Sequence, residues 1–179
     1  MTKSTVRTAI LAIAAASFAS AALPVPRPSK EFTFVESSGR QSLLSSYKGK
    51  VVVIQFLSTT CPHCQALSRT LSKMAGDMGN GVQFIGVAFN EATAESAAAY
   101  AKAQAVRIPI AYAPHETVIS FLGYSIMERL TVPQVVIVDK KGVIRAQSDP
   151  LGSEELSSEA YLRKFIGDLL KEGAAPAKK

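Results

Sequence analysis

The chain has 179 residues, 47% of them apolar and 19% charged, with a formal net charge of +6 at pH 7. This composition excludes general disorder and leaves enough chain for one domain with a substantial core. The basic excess is scattered, densest at Lys140-Lys141 and Lys178-Lys179, without the basic stripe and interleaved aromatics of a nucleic-acid binder, so no nucleic-acid partner is expected.

Lys3 and Arg7 precede an Ala-rich apolar stretch from Ala9 to Ala19, and Ala19-Ser20-Ala21 fits a small-x-small cleavage site. Residues 1–21 therefore read as a secretory signal, with an uncleaved anchor as the alternative. The stretch is short for a membrane span, which needs about 20 residues. Residues 22–30 contain Pro24, Pro26 and Pro28, and alternate prolines favour an extended spacer. A domain over 31–172 and a frayed tail over 173–179 complete the expected organisation.

Phe32–Val35 alternates and reads as a short strand, followed by a turn at Ser37–Arg40. Val51–Leu57 is an almost continuous apolar run, the signature of a strand buried on both faces. Leu67, Leu71, Met74 and Met78 share one face of a helix that follows it. A second apolar strand is expected over Val82–Phe89, and an Ala-rich helix over Thr93–Ala105. Ile108–Ile110 reads as a short extended piece that Pro109 keeps at an edge or strand end. A short helix over Glu116–Leu122 precedes a hairpin, with strands at Gln134–Asp139 and Val143–Ala146 joined by Lys140-Lys141-Gly142. Leu162, Phe165, Ile166, Leu169 and Leu170 give a last helix, Ser157–Lys171, one apolar face, and Gly173 suits its end. Alternating strands and helices imply an α/β layer fold with helices covering a mixed sheet.

The sequence has two cysteines, in Cys61-Pro62-His63-Cys64, between the buried strand and the helix that follows. Unpaired N–H groups and the helix dipole stabilise a thiolate at a helix start, and such cysteines are the reactive ones. His63 adds a ring able to carry positive charge, and Pro62 suits a first helical turn. The expected chemistry is thiol–disulfide exchange, with Cys61 as nucleophile and Cys64 as the resolving thiol. A purely structural disulfide is a weak alternative, since so small a ring contributes only about 2 kcal/mol. A zinc site is another, but the turn offers two thiolates where a closed site wants four ligands. His115 is assigned no role.

Gly49-Lys50-Val51-Val52-Val53-Ile54-Gln55-Phe56 leading into Cys61-Pro62-His63-Cys64 resembles the redoxin/TlpA-like branch of the thioredoxin superfamily. Thr131-Val132-Pro133-Gln134 and the strand after it resemble that family's cis-proline strand and closing hairpin. The resemblance, which spans Phe32 to Leu170, implies a thioredoxin-like fold with a mixed central β-sheet and helices on both faces. It implies a cis Pro133 beside the cysteines and a Val132 whose backbone meets an extended substrate segment. The Pro-His dipeptide is similar to that of the DsbA oxidases. Thr60 stands where relatives carry Trp, which puts substrate choice in question. Glu91 is the nearest match to the buried carboxylate that assists proton transfer in many relatives, with a solvated helix-start acid as the plain alternative.

The sequence thus points to an exported enzyme, periplasmic or secreted, or membrane-anchored facing the periplasm, that exchanges disulfides with protein substrates. Its partners would be protein thiols and disulfides and an unidentified redox partner, with membrane contact only if the N-terminal segment is retained. No metal and no cofactor beyond the Cys61–Cys64 pair are expected. The alternatives are a metallochaperone or assembly factor using the same cysteines, or a thiol peroxidase of the AhpC/TSA kind. Against peroxidase chemistry, the positions that hold proline and threonine before a peroxidatic cysteine hold Ile54 and Ser58.

Overall fold

In a computed structural model that describes residues 23–90 and 92–172, the run Val51–Leu57 is a strand, β4, with all seven residues buried. Before it come β1 (Arg27–Pro28), β2 (Thr33–Glu36) and β3 (Gln41–Leu43). After it come α1 (Pro62–Met78), β5 (Val82–Ala88), α2 (Ala94–Ala103), β6 (Ile110–Tyr112), α3 (His115–Leu122), β7 (Gln134–Val138), β8 (Val143–Gln147) and α4 (Glu159–Lys171). They build one mixed sheet in the order β1-β8-β7-β4-β5-β6-β2-β3. β4 runs parallel to β5 and antiparallel to β7, so the sequence's most apolar strand sits between two other buried strands.

Alternate residues of β4 face opposite sides. Val51, Val53 and Leu57 pack with Leu67, Leu71 and Met74 of α1, Tyr100 of α2, and Leu162, Ile166 and Leu169 of α4. Val52, Ile54 and Phe56 pack on the other side with Val118, Phe121 and Leu122 of α3, Phe34 of β2 and Phe32 just before it. The ring of Phe32 lies 5.4 Å from that of Phe56 and 4.7 Å from that of Phe121, an aromatic layer under α3. Helices therefore cover both faces, as the α/β thioredoxin-like reading required. Gly86 in β5 leaves room for its neighbour, since a Cβ there would lie 2.6 Å from Ile110 Cδ1 and would force that side chain to shift.

Several boundaries differ from the sequence reading. Part of the 22–30 segment is no free spacer: Arg27 and Pro28 pair with Ile144 and Val143, and Ser29 N–H donates to Gly142 O at 2.9 Å. Arg27 has its guanidinium on Gln147, which ties the segment to the edge of the sheet. Of the two places expected for Pro109, an edge or a strand end, the structure shows the strand end inside the sheet. Pro109 has no N–H for a ladder, so β6 begins after it and lies between β5 and β2. β3 and the 3₁₀ turn Leu44–Tyr47 carried no clear periodicity in the sequence. The last helix starts at Glu159 rather than Ser157, after a separate 3₁₀ turn at Glu155–Ser157. The short helix expected from Glu116 starts one residue earlier, at His115, whose ring stacks on Phe89. The signal-like segment 1–21, Glu91 and the tail 173–179 lie outside the described residues.

Candidate active site

Chain direction reverses sharply between β4 and α1, and polar side chains hold the turn. Asn90, just past β5, grips Thr59 twice: its Oδ1 accepts from Thr59 N–H at 3.1 Å and its Nδ2 donates to Thr59 Oγ1 at 3.2 Å. Gln65 Nε2 donates to Thr59 O at 3.2 Å. Ser58 and Thr60 pair through their hydroxyls at 3.1 Å, and Thr60 itself is exposed.

Cys61 occupies the N-cap of α1 with extended backbone, and Pro62 holds the first helical position. Cys64 N–H donates to Cys61 Sγ at 3.3 Å, so the sulfur stands where a capping oxygen normally does. Cys61 Sγ also lies 3.7 Å from Val132 O, across the cis Val132–Pro133 peptide bond. The two thiols are free and unequal: Cys61 is half-buried, whereas Cys64 is fully buried. Burial, and then the hydrogen bond with Cys61, push the Cys64 thiol well up from the usual range. His63 is exposed and faces a groove bounded by Val132 and Pro133. The structure thus brings Cys61, Cys64, Pro62, His63, Thr60, Val132 and Pro133 to one end of the sheet. Glu91, the candidate proton relay, lies outside the described residues.

Two buried carboxamides that the sequence reading passed over support this site from opposite faces of the sheet. Gln55 in the middle of β4 is fully buried. Its Nε2 donates to Cys64 O at 2.9 Å, and its Oε1 accepts from Ser68 Oγ at 2.8 Å. Ser68 in turn lies 2.9 Å from the Tyr100 hydroxyl. Burial pushes that phenol up, and the Ser68 bond opposes the shift. Gln134 directly follows Pro133 and is also fully buried. Its Nε2 reaches Thr131 O at 2.8 Å, Asp149 O at 3.0 Å and Pro150 O at 3.2 Å. A signal for Gln55 was present: it is the one polar residue inside an apolar strand, and a buried carboxamide demands partners. Asn90 and Gln134 had no comparable signal, because Asn90 bonds a residue 31 positions away and Gln134 bonds carbonyls 15 and 16 positions away.

Among the described residues, no group of three or more His, Cys, Asp and Glu side chains comes together to hold a metal ion. Nor is any helix among them long and apolar enough to cross a membrane.

The family model described as the AhpC/TSA family matches residues 25–147. The chain belongs to that family. A comparison with curated protein sequences found no match. Among solved structures, the chain is similar to a candidate protein disulfide isomerase from Bacteroides thetaiotaomicron, at 25% identity and a TM-score of 0.70, with 86% of this chain and 94% of that one covered. A thiol:disulfide interchange protein of the thioredoxin family from Chlorobium tepidum aligns at 24% identity and a TM-score of 0.63, covering 83% and 99%. A candidate thiol:disulfide interchange protein DsbE from the same organism aligns at 19% identity and a TM-score of 0.67, covering 83% and 99%. This AhpC/TSA family member is an oxidoreductase of the thioredoxin superfamily, with the redoxin/TlpA-like fold its sequence resembles.

Proposed function

We propose that this protein exchanges disulfides with protein substrates through Cys61 and Cys64, outside the cytoplasm. One observation carries the reading: a half-buried sulfur at a helix N-terminus faces the Val132 carbonyl, with a second, fully buried thiol one helical turn behind it. The Cys61 thiolate attacks one sulfur of a substrate disulfide. The substrate S–S bond breaks, and the departing sulfur leaves as a thiolate that takes up a proton. Cys64 then loses its proton and attacks Cys61 Sγ. The mixed disulfide breaks, the second substrate thiol is released, and two electrons have passed to the substrate. The reverse sequence oxidises a substrate dithiol. Val132, beside the cis proline, offers backbone groups to an extended substrate strand; His63 lines the groove, and exposed Pro62 and Thr60 flank Cys61 in the chain.

Export rests on the N-terminal segment 1–21, whose charge and small-residue pattern fit a cleaved signal. The oxidising compartment beyond it is where such a pair cycles. The folded unit would begin by Arg27, whose pairing with β8 shortens the linker read from the prolines.

The family match itself favours one second reading, thiol peroxidase chemistry at Cys61. Ile54 lies fully buried in the sheet, and Ser58 is committed to Thr60, so neither position reproduces the peroxidatic pattern.

Turnover of a fluorescent peptide disulfide separates these readings. Wild type should turn over many times. Cys61→Ser should be inactive, and Cys64→Ser should stall after one event as a covalent adduct with the substrate. Equal activity of Cys61→Ser and wild type ends the exchange proposal. Hydrogen peroxide consumption at a rate matching disulfide turnover would favour the second reading. Stoichiometric copper or zinc binding without exchange would favour a metal-handling role.

A further inference from the structure

The groove beside Cys61 has a second wall that the exchange chemistry does not use. Its volume is about 640 Å³, and it runs from His63 and Leu67 on α1, over Val132 and Pro133, to Leu151 and Glu154. The wall formed by residues 149–157 is built rather than loose. Gly152 N–H donates to Asp149 O at 2.8 Å, and Leu156 N–H donates to Ser153 Oγ at 3.2 Å. Buried Leu156 anchors the segment in the core beneath α1 and α4. Thr131 N–H donates to Pro150 O at 2.9 Å, and Gln134 bonds the carbonyls of Thr131, Asp149 and Pro150 together. The substrate-facing loop and the second wall are therefore one rigid unit.

That unit presents two uncommitted features to the groove. Leu151 is 69% exposed although its neighbour Leu156 is buried. Glu154 lines the groove, is exposed, and forms no ion pair among the described residues, while eight pairs elsewhere engage other acidic side chains. Glu154 and His63 are the titratable groups lining it.

Resting on the exchange reading, we propose that this groove selects substrates whose reactive cysteine is flanked by an apolar residue and a basic one, seated on Leu151 and Glu154. An extended segment laid against Val132 sends alternate side chains to the same side, so substrate positions two apart would meet the two features. A single exposed charge pair has a modest effect, and the discrimination is set accordingly.

The test uses the purified protein with two matched peptide disulfides, Leu-Ser-Lys or Leu-Ser-Glu following the reactive cysteine, and the neutral bis(2-hydroxyethyl) disulfide as a third substrate. Wild type should prefer the lysine peptide by roughly two- to fivefold in kcat/KM at low salt, with the preference fading near 1 M salt. Glu154→Gln should abolish the preference and Glu154→Lys should invert it, with bis(2-hydroxyethyl) disulfide turned over unchanged. Leu151→Ser should raise KM for both peptides and leave kcat and the small disulfide alone. A wild type without charge preference, or a preference that survives Glu154→Gln, overturns the inference while the exchange chemistry stands. Failure to turn over even the small disulfide overturns the exchange reading and this inference with it.

Discussion

Gln55 and Gln134 do the same structural job by different means. They sit one register step apart on paired strands, since Phe56 lies opposite Gln134 and Gln55 opposite Val135. Their side chains enter opposite faces of the sheet, Gln55 toward α1 and Gln134 toward α3. Gln55 holds the cysteine turn, and its own carbonyl is held by a chain of hydroxyls, Ser68 and Tyr100. Gln134 holds the cis-proline loop through three main-chain carbonyls. A side-chain network can be trimmed one group at a time, with the remaining members pairing among themselves. Main-chain acceptors cannot be trimmed, so removing their donor leaves part-buried carbonyls short of partners.

The largest effect should come from placing charge in the Gln55 site. Gln55→Glu keeps the shape and, while protonated, can still donate to Cys64 O and accept from Ser68. Ionised, it is a carboxylate in a fully buried position, so its folded-state pKa must rise above the unfolded value of about 4.3. The native state then holds a proton that the unfolded chain releases. Stability relative to wild type is retained below about pH 4 and falls as pH rises, by about 1.4 kcal/mol per unit until the native pKa is reached. A deficit of about 4 kcal/mol is expected at pH 7. Paired urea titrations of variant and wild type at pH 4.5 and pH 7.5 check this. A deficit equal at both values would mean that the site admits water and that Gln55 is not sealed in.

Gln134→Leu comes next and tests the main-chain side of the comparison. Asp149 O keeps the Gly152 N–H and Pro150 O keeps the Thr131 N–H, but Thr131 O loses the donor that Gln134 supplies. One orphaned carbonyl and two weakened ones should cost about 2–3 kcal/mol. The cis-proline loop and the 149–157 wall should loosen together, and protein-disulfide turnover should fall more than turnover of a small disulfide. Gln55→Leu should cost only about 1 kcal/mol, because Cys64 O also accepts the helical N–H of Ser68 and the two hydroxyls keep each other. Equal costs for the two leucine variants in urea denaturation would break the distinction.

Much of this architecture was legible before any coordinates. Val51–Leu57 announced a doubly buried strand, Leu67, Leu71 and Met74 announced a helix face, and the Cys61–Cys64 turn fell at their junction. The cis Val132–Pro133 bond followed from the family resemblance. The supporting shell was not legible, and for one physical reason. Asn90 meets Thr59, Gln134 meets Asp149, and Arg27 meets Gln147 only once the sheet order brings them together. Periodicity reports which face a residue occupies, not which distant carbonyl it finds there. The prolines at 24, 26 and 28 misled in the same way. Local chemistry favoured a spacer, and a tertiary edge captured Arg27 and Pro28 as a strand.

Tyr100→Phe should have the smallest effect, and it probes how far the hydroxyl chain acts as a unit. The tyrosine hydroxyl lies 2.9 Å from Ser68 Oγ, and Ser68 donates onward to Gln55. Removing it takes away one neutral hydrogen bond and leaves Ser68 still paired, so about 0.5 kcal/mol is expected. The ring stays to fill its place between α2 and the sheet, and no cavity opens. Release of substrate from the mixed disulfide should change by less than about twofold, because the bond that positions Cys64 O is untouched. Single-turnover trapping of the mixed disulfide reads that rate directly. A much larger slowing would mean that the Tyr100 hydroxyl governs the orientation of the Gln55 amide two bonds away. The cysteine turn would then be braced from α2 as well as from β4, and the contrast with the Gln134 site would narrow to the kind of acceptor each uses.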